Sequence, residues 1–144
     1  MSANSTPREV FEQLVHRIST GAWIEAADLY AEDVVVDLPF ALPVPGRAVG
    51  HEQLRDHFAL TAAGTLTVKA ENVVVHETTD PETVIAEYDY LGHDSGTGRS
   101  FRAANIQVLT VREGLITATR DYHHHVAIAA ATGRLAELVA ALEQ

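Results

Sequence analysis

Cysteine is absent from the 144 residues. That absence excludes disulfides, thiolate metal sites, iron–sulfur clusters and cysteine nucleophiles together. Cations are scarce: 10 Lys and Arg stand against 20 Asp and Glu, a formal charge of −10. A surface of that sign repels phosphate backbones, so no nucleic-acid partner is expected. No apolar run approaches the roughly 20 residues of a membrane helix, so no membrane partner is expected. Met1 to Thr6 are polar and lack the apolar centre of a secretion signal. A soluble, cytoplasmic protein is the expectation. What is present is apolar content of 47%, enough for one hydrophobic core, and a single domain over residues 1–144 is expected. Eight histidines are many for this length, and His123, His124 and His125 are consecutive.

The chain begins with helix signals. Thr6 caps, Pro7 suits the first helical position, and Glu9 completes a capping box. Val10, Phe11, Leu14, Val15 and Ile18 form one apolar stripe, and Gly21 ends the helix. Trp23, Ala26, Ala27 and Tyr30 indicate a second short helix. Residues 34–38 read as a strand. Pro39, Pro43, Pro45 and Gly46 then require an irregular loop. Gly50 opens a third helix with Leu54, Phe58 and Thr61 inward. Strands are expected near 65–77, 83–92, 99–112 and 115–122, broken by Asp80-Pro81, residues 94–98 and Glu113-Gly114. Leu135, Leu138, Val139 and Leu142 indicate a C-terminal helix, with Gly133 interrupting just before it. Helices, one strand, a helix and then a run of long strands make an α+β fold: a curved antiparallel sheet wrapped around N-terminal helices.

Several short motifs recur in an order that resembles the SnoaL-like, ketosteroid-isomerase-like superfamily, whose cone-shaped fold is shared with nuclear transport factor two. They are Gly21 with Leu29-Tyr30-Ala31-Glu32-Asp33, Pro39, and Gly50 with Leu54 and Phe58. Later come Gly98-Arg99, Glu113-Gly114-Leu115-Ile116 and Arg120-Asp121-Tyr122. The resemblance spans nearly the whole chain. It implies a cone-shaped sheet, a homodimer, and a pocket for a small hydrophobic molecule. It does not by itself choose among isomerases, cyclases, dehydratases, epoxide hydrolases and non-enzymes.

The residues at the matching positions separate these chemistries. Where ketosteroid isomerases carry a base, an oxyanion tyrosine and a protonated aspartic acid, this chain has Leu38, Leu14 and Gln107. A carbon acid needs a proton acceptor and a donor for the enolate, and leucine is neither, so steroid isomerisation is disfavoured. Limonene-type epoxide hydrolases share the Arg120-Asp121-Tyr122 segment, in which the aspartate is catalytic. Their other carboxylate segment falls on Tyr88 and Tyr90, and their water-holding pair on Val36 and Leu38, so only Asp121 remains. The aspartate of SnoaL-type cyclases falls near His124 or His125, and histidine also moves protons near neutral pH.

Side chains alternate along strands. If Asp121 points inward, Thr117, Thr119 and His123 follow, with Phe101, Ala103, Asn105 and Gln107 on the preceding strand and Tyr88 and Tyr90 on the one before. Leu14, Ile18, Val36, Leu38 and Phe58 complete an apolar cup with a polar stripe. Asp121 and His123 lie two apart on one strand face, about 7 Å between Cα atoms at roughly 3.3 Å per residue. They are the candidate catalytic pair, in which the aspartate is expected to raise the imidazole pKa. The competing reading ties Asp121 to Arg120 and leaves His123 lining the mouth. Asn105, Gln107, Tyr88, Tyr90 and Thr119 are candidates for holding substrate oxygens, with Phe101 as a wall. Asp121, His123 and His125 suit zinc or iron(II) if the strand continues. The enzymes resembled mostly use no metal, and no cofactor is expected. His51, His57, His76 and His93 are expected at the surface or rim. Two functions follow: a cofactor-independent acid–base enzyme acting on a small hydrophobic oxygenated substrate, or a non-catalytic ligand-binding or assembly module.

Overall fold

The computed structural model describes residues 2–144. Helix α1 spans Pro7–Ser19, and both bonds of its capping box form: Glu9 N donates to Thr6 Oγ1 at 3.2 Å and Thr6 N to Glu9 Oε1 at 3.0 Å. Its stripe of Val10, Phe11, Leu14, Val15 and Ile18 is buried. Helix α2 (Trp23–Ala26) runs through a 3₁₀ turn into strand β1 (Tyr30–Leu38). Tyr30 therefore opens a strand rather than closing a helix. Strand β2 (Gly46–Val49), inside the stretch expected to be irregular or to start a helix, pairs with β1, and α3 (His51–Ala63) follows it. Strands β3 (Leu66–Glu77), β4 (Thr83–Asp94), β5 (Arg99–Arg112) and β6 (Leu115–Tyr122) fall close to the expected ranges. Two helices close the chain, α4 (His125–Ala131) and α5 (Leu135–Leu142).

The six strands form one curved sheet in the order β2-β1-β6-β5-β4-β3. The sheet is mixed: every pairing is antiparallel except that of β1 with β6, which is parallel. The parallel pair arises because β1 reaches β6 after five intervening elements, β2, α3, β3, β4 and β5, rather than through a hairpin. The turn between β5 and β6 uses Glu113 and Gly114, both at positive φ (52° and 76°). Such a turn matches the twist of a two-residue hairpin. On the inner face, register builds cross-strand rows. One row is Ala86–Gln107–Asp121 and the next begins Tyr88–Asn105. Helix α1 packs on this face, with the Phe11 and Tyr88 ring centroids 5.4 Å apart. The core thus lies between α1 and the sheet, and the space left beside it becomes the site.

Candidate functional site

The inner sheet face, α1, α2 and α3 border a cavity of about 620 Å³. Its walls are apolar: Leu14 and Ile18 from α1, Val36 and Leu38 from β1, and Phe58 from α3. Its polar end carries Tyr88 and Tyr90 from β4, Gln107 from β5, and Asp121 and His123 from β6 and the residue just beyond. Ten of the side chains proposed from alternation therefore meet here.

Three do not. Phe101 pairs with Gly92, and its ring occupies the place a Gly92 Cβ would take, at 2.2 Å. It therefore borders outer depressions near α4 and β3 instead of the cavity. Thr119 is buried beside Asp121 without facing the cavity. Asn105 sits behind His123, accepting at Oδ1 from the ring Nδ1 at 2.9 Å. Thr117 also departs from the inward set. A bulge in β6, where register shifts between Thr110 and Val111 of β5, resets the alternation. The Thr117 hydroxyl donates to the Thr110 carbonyl at 3.4 Å, and Ile116 turns inward.

Among the described residues, no cation pairs with Asp121. It makes no ion pair with Arg120, whose guanidinium lies over the Tyr122 ring at 5.6 Å. Oδ1 of Asp121 is buried without a hydrogen-bond partner. Burial pushes its pKa up to about 7; the neighbouring Thr119 hydroxyl opposes the shift and the Asp37 carboxylate adds to it. Such an acid keeps its proton through much of the neutral range.

His123 behaves oppositely to the expectation. No hydrogen bond joins it to Asp121, and burial, with His125 and His57 nearby, pushes its pKa down to about 4. The ring stacks on Tyr90 at 5.8 Å and 21° and meets His125 edge-on at 5.7 Å. Desolvation is the largest influence on the ring, and the charged neighbours that shift it are His125 and His57 rather than Asp121.

Four further residues stand in or beside the site. The sequence names His125 as a metal-ligand candidate and expects His57 at the surface or rim, but signals neither Tyr30 nor Trp23 there. Tyr30 is buried near Asp121 and Gln107, and burial raises its pKa well above the ordinary phenol value, followed by the influence of Asp121 and Tyr90. Trp23 packs on Phe58 at 5.8 Å and lines the cavity. His57 lines it from α3, with its pKa lowered by burial. The spacing Leu54, His57, Phe58 and Thr61 already marks one helix face, so that signal was readable. His125 also borders the cavity, from the first turn of α4. Strand β6 has ended at Tyr122, so Asp121, His123 and His125 do not share a strand face. Among the described residues no three His, Asp or Glu side chains gather as a metal-binding group.

Among the described residues, the polar end offers hydrogen-bond donors without an unpaired cation. Tyr88 and Tyr90 stay protonated because burial raises both phenol pKa values. The Tyr88 hydroxyl donates to Gln107 Oε1 at 3.1 Å, leaving the Gln107 amide nitrogen as a further donor. Arg47 is the one Lys or Arg lining the cavity among the described residues, and its Nε already donates to Asp37 at 2.7 Å. The arrangement suits an uncharged molecule whose apolar body meets the walls and whose oxygen accepts hydrogen bonds.

The architecture is that of the nuclear transport factor two-like α+β class. The SnoaL-like domain model matches residues 11–119, most of the chain, and the chain belongs to that family. It is 28% identical over 117 residues to the uncharacterized protein YesE of Bacillus subtilis strain 168, covering 78% of this chain and 75% of that one. Its fold is similar to the crystal structure of an isomerase candidate from Bacillus subtilis: TM-score 0.84, 24% identity, 93% of this chain and 97% of that one. It is also similar to a polyketide cyclase candidate from Xanthomonas campestris pv. campestris: TM-score 0.73, 21% identity, 88% and 96% covered. No helix among the described residues is long and apolar enough to cross a membrane.

Proposed function

We propose that the chain is a SnoaL-like enzyme performing cofactor-independent acid–base chemistry of isomerase or cyclase type. Its substrate is a small, uncharged, largely apolar molecule bearing one or two oxygens. The observation that carries this reading is a buried carboxyl, Asp121, unpaired at the polar end of an apolar cavity that also holds a neutral imidazole. Environments that push the two pKa values apart assign the roles. Asp121 is the proton donor and His123 the acceptor. In an enolisation, His123 takes the proton from carbon beside a carbonyl while Asp121 hydrogen-bonds or protonates the oxygen. The imidazolium returns its proton to another carbon while Asp121 takes back any proton given to the oxygen, which completes an isomerisation. Tyr90 and the Gln107 amide nitrogen hold the oxygen end by hydrogen bonds, and Tyr88 orients Gln107.

The test is conversion of a panel of neutral ketones, enones and epoxides, followed by mass spectrometry and NMR. Asp121→Asn and His123→Ala should each lower turnover by about 10²- to 10⁴-fold with the fold intact, the range for general acid–base groups. Turnover should hold between about pH 4 and pH 7 and fall above, because the donor must keep its proton and the acceptor must lack one. Activity that rises through pH 7 would instead make Asp121 a carboxylate base.

A second reading is favoured by Leu14 and Leu38, apolar where ketosteroid isomerases carry catalytic groups, both in the cavity wall. It is a binding module that returns its ligand unchanged, and saturable binding with no altered product would select it. In either reading the protein is proposed to be a homodimer through the outer sheet face, where Val74 and Ile106 are exposed.

A further inference from the structure

Asn105 is the one polar inward-facing residue whose neighbour across the sheet is the proposed proton acceptor. Register pairs it with Tyr88 on β4. On the other side, Ile106 pairs with Tyr122, so the next step of the ladder sets Asn105 opposite His123. Asn105 is 3% exposed, and among the described residues the only hydrogen bond its side chain makes is the 2.9 Å contact between Oδ1 and His123 Nδ1. Its Nδ2 is buried with no partner. A buried unpaired donor is costly, and an apolar side chain would avoid that cost. The use of an amide at this position is therefore the bond to the imidazole.

The rest of the imidazole is equally constrained. Tyr90 stacks on one face and His125 abuts it edge-on, so the ring plane is set by its neighbours. What remains free is which nitrogen carries the proton. In a neutral imidazole one nitrogen donates and the other accepts, and the partner of one decides the state of the other. Among the described residues Nε2 makes no hydrogen bond, while the ring lines the cavity.

We propose that Asn105 is a positioning residue for His123: it accepts the Nδ1 proton in a hydrogen bond and thereby presents the Nε2 lone pair to the ligand. This rests on the acid–base reading for its consequence, but not for its measurement. The amide also explains why an uncharged partner stands there. A carboxylate against Nδ1–H would stabilise the imidazolium and fill the lone pair with a proton. The amide orients the ring without charging it. The titratable groups facing His123 leave that balance intact. They are His57 from α3, His125 from α4, Tyr88 and Tyr90 from β4, and Asp121 on its own strand, and none is a Lys or Arg.

Long-range ¹H–¹⁵N NMR on ¹⁵N-histidine-labelled, ligand-free protein reads the tautomer directly, with His123→Gln assigning the signal. The expected result is protonated Nδ1 and bare Nε2 from pH 5.5 to 8. A protonated Nε2, or an averaged signal of both tautomers, overturns the proposal. Asn105→Asp should raise the His123 pKa by about 1–3 pH units, the effect of an adjacent opposite charge. Asn105→Leu, which keeps the site apolar and folded by circular dichroism, should release the tautomer into a mixture. It should also lower kcat by about 10- to 100-fold with little change in KM, the range for loss of a partner that orients a histidine. An unchanged tautomer in Asn105→Leu would mean that Asn105 only fills space. Because the tautomer needs no substrate, absence of turnover would fail the acid–base reading without obscuring this result.

Discussion

Asp121 and His123 bring opposite linkages into one site. Unfolded, the carboxyl titrates near 4 and the imidazole near 6.5, as unperturbed groups do. Folded, they titrate at about 7 and about 4. As pH rises from about 4 to 7, the unfolded chain releases the Asp121 proton and the folded chain keeps it, so stability falls and then levels off. As pH falls from about 6.5 to 4, the unfolded chain protonates His123 and the folded chain does not, so stability is lost in that direction. The two slopes nearly cancel in the native protein, and each substitution uncovers the other. Relative to the parent, Asp121→Asn should gain up to about 4 kcal/mol between pH 4 and pH 7, at about 1.4 kcal/mol per pH unit. His123→Gln should gain up to about 3 kcal/mol as pH falls from 6.5 to 4. Urea unfolding of the three proteins across that range measures both. Parallel pH curves for parent and variants would show that these groups are not desolvated as described. Candidate residues were readable from alternation, but not their protonation. The sequence supports a histidine raised by its aspartate, whereas the helices covering the sheet desolvate both.

At the scale of elements, local chemistry and local structure agree most closely at α1. Thr6, Pro7 and Glu9 predict the helix start, and the capping box forms with both bonds. Thr6→Ala should lower stability by about 1 kcal/mol, the usual value of a cap, read as a lower thermal midpoint. No loss would mean that the helix start is held by packing alone. Strand β6 shows where local reading stops. Its bulge removes Thr117 from the inward row while Thr119 and Asp121 remain buried, because one extra residue reverses alternation on one side only. The strand also ends at Tyr122, and His124 caps α4 by accepting at Nδ1 from Ala127 N at 3.2 Å. That helix separates His125 from the strand face on which a metal site would have been built.

Across the whole molecule, the inner face of the sheet is covered by α1, whereas the outer face presents Ile106 at 43% and Val74 at 50% exposure. The two lie beside an outer depression of about 540 Å³ that also touches Tyr122 and Phe40. A second copy on this face is the proposed cover. Sedimentation should give a dimer at micromolar concentration, and Ile106→Asp should give a monomer that retains its fold. A monomeric parent would remove the proposal.

Period-two and helical patterns determined, from the sequence alone, where α1, α3 and strands β3 to β6 lie, which face of α1 is buried, and that the fold is α+β. Such patterns depend on neighbours a few residues apart, so no tertiary information is needed to read them. Composition likewise determined that cysteine chemistry has no place here. Only the tertiary structure decided which of these faces meet. Register set Gln107 against Asp121 and Asn105 beside His123, while Gly92 drew Phe101 aside. Chain-distant packing brought Trp23 and His57 to the cavity and Tyr30 close to Asp121. It also withdrew water from a carboxyl and an imidazole, and desolvation, which no linear pattern encodes, then chose which of the two holds the proton.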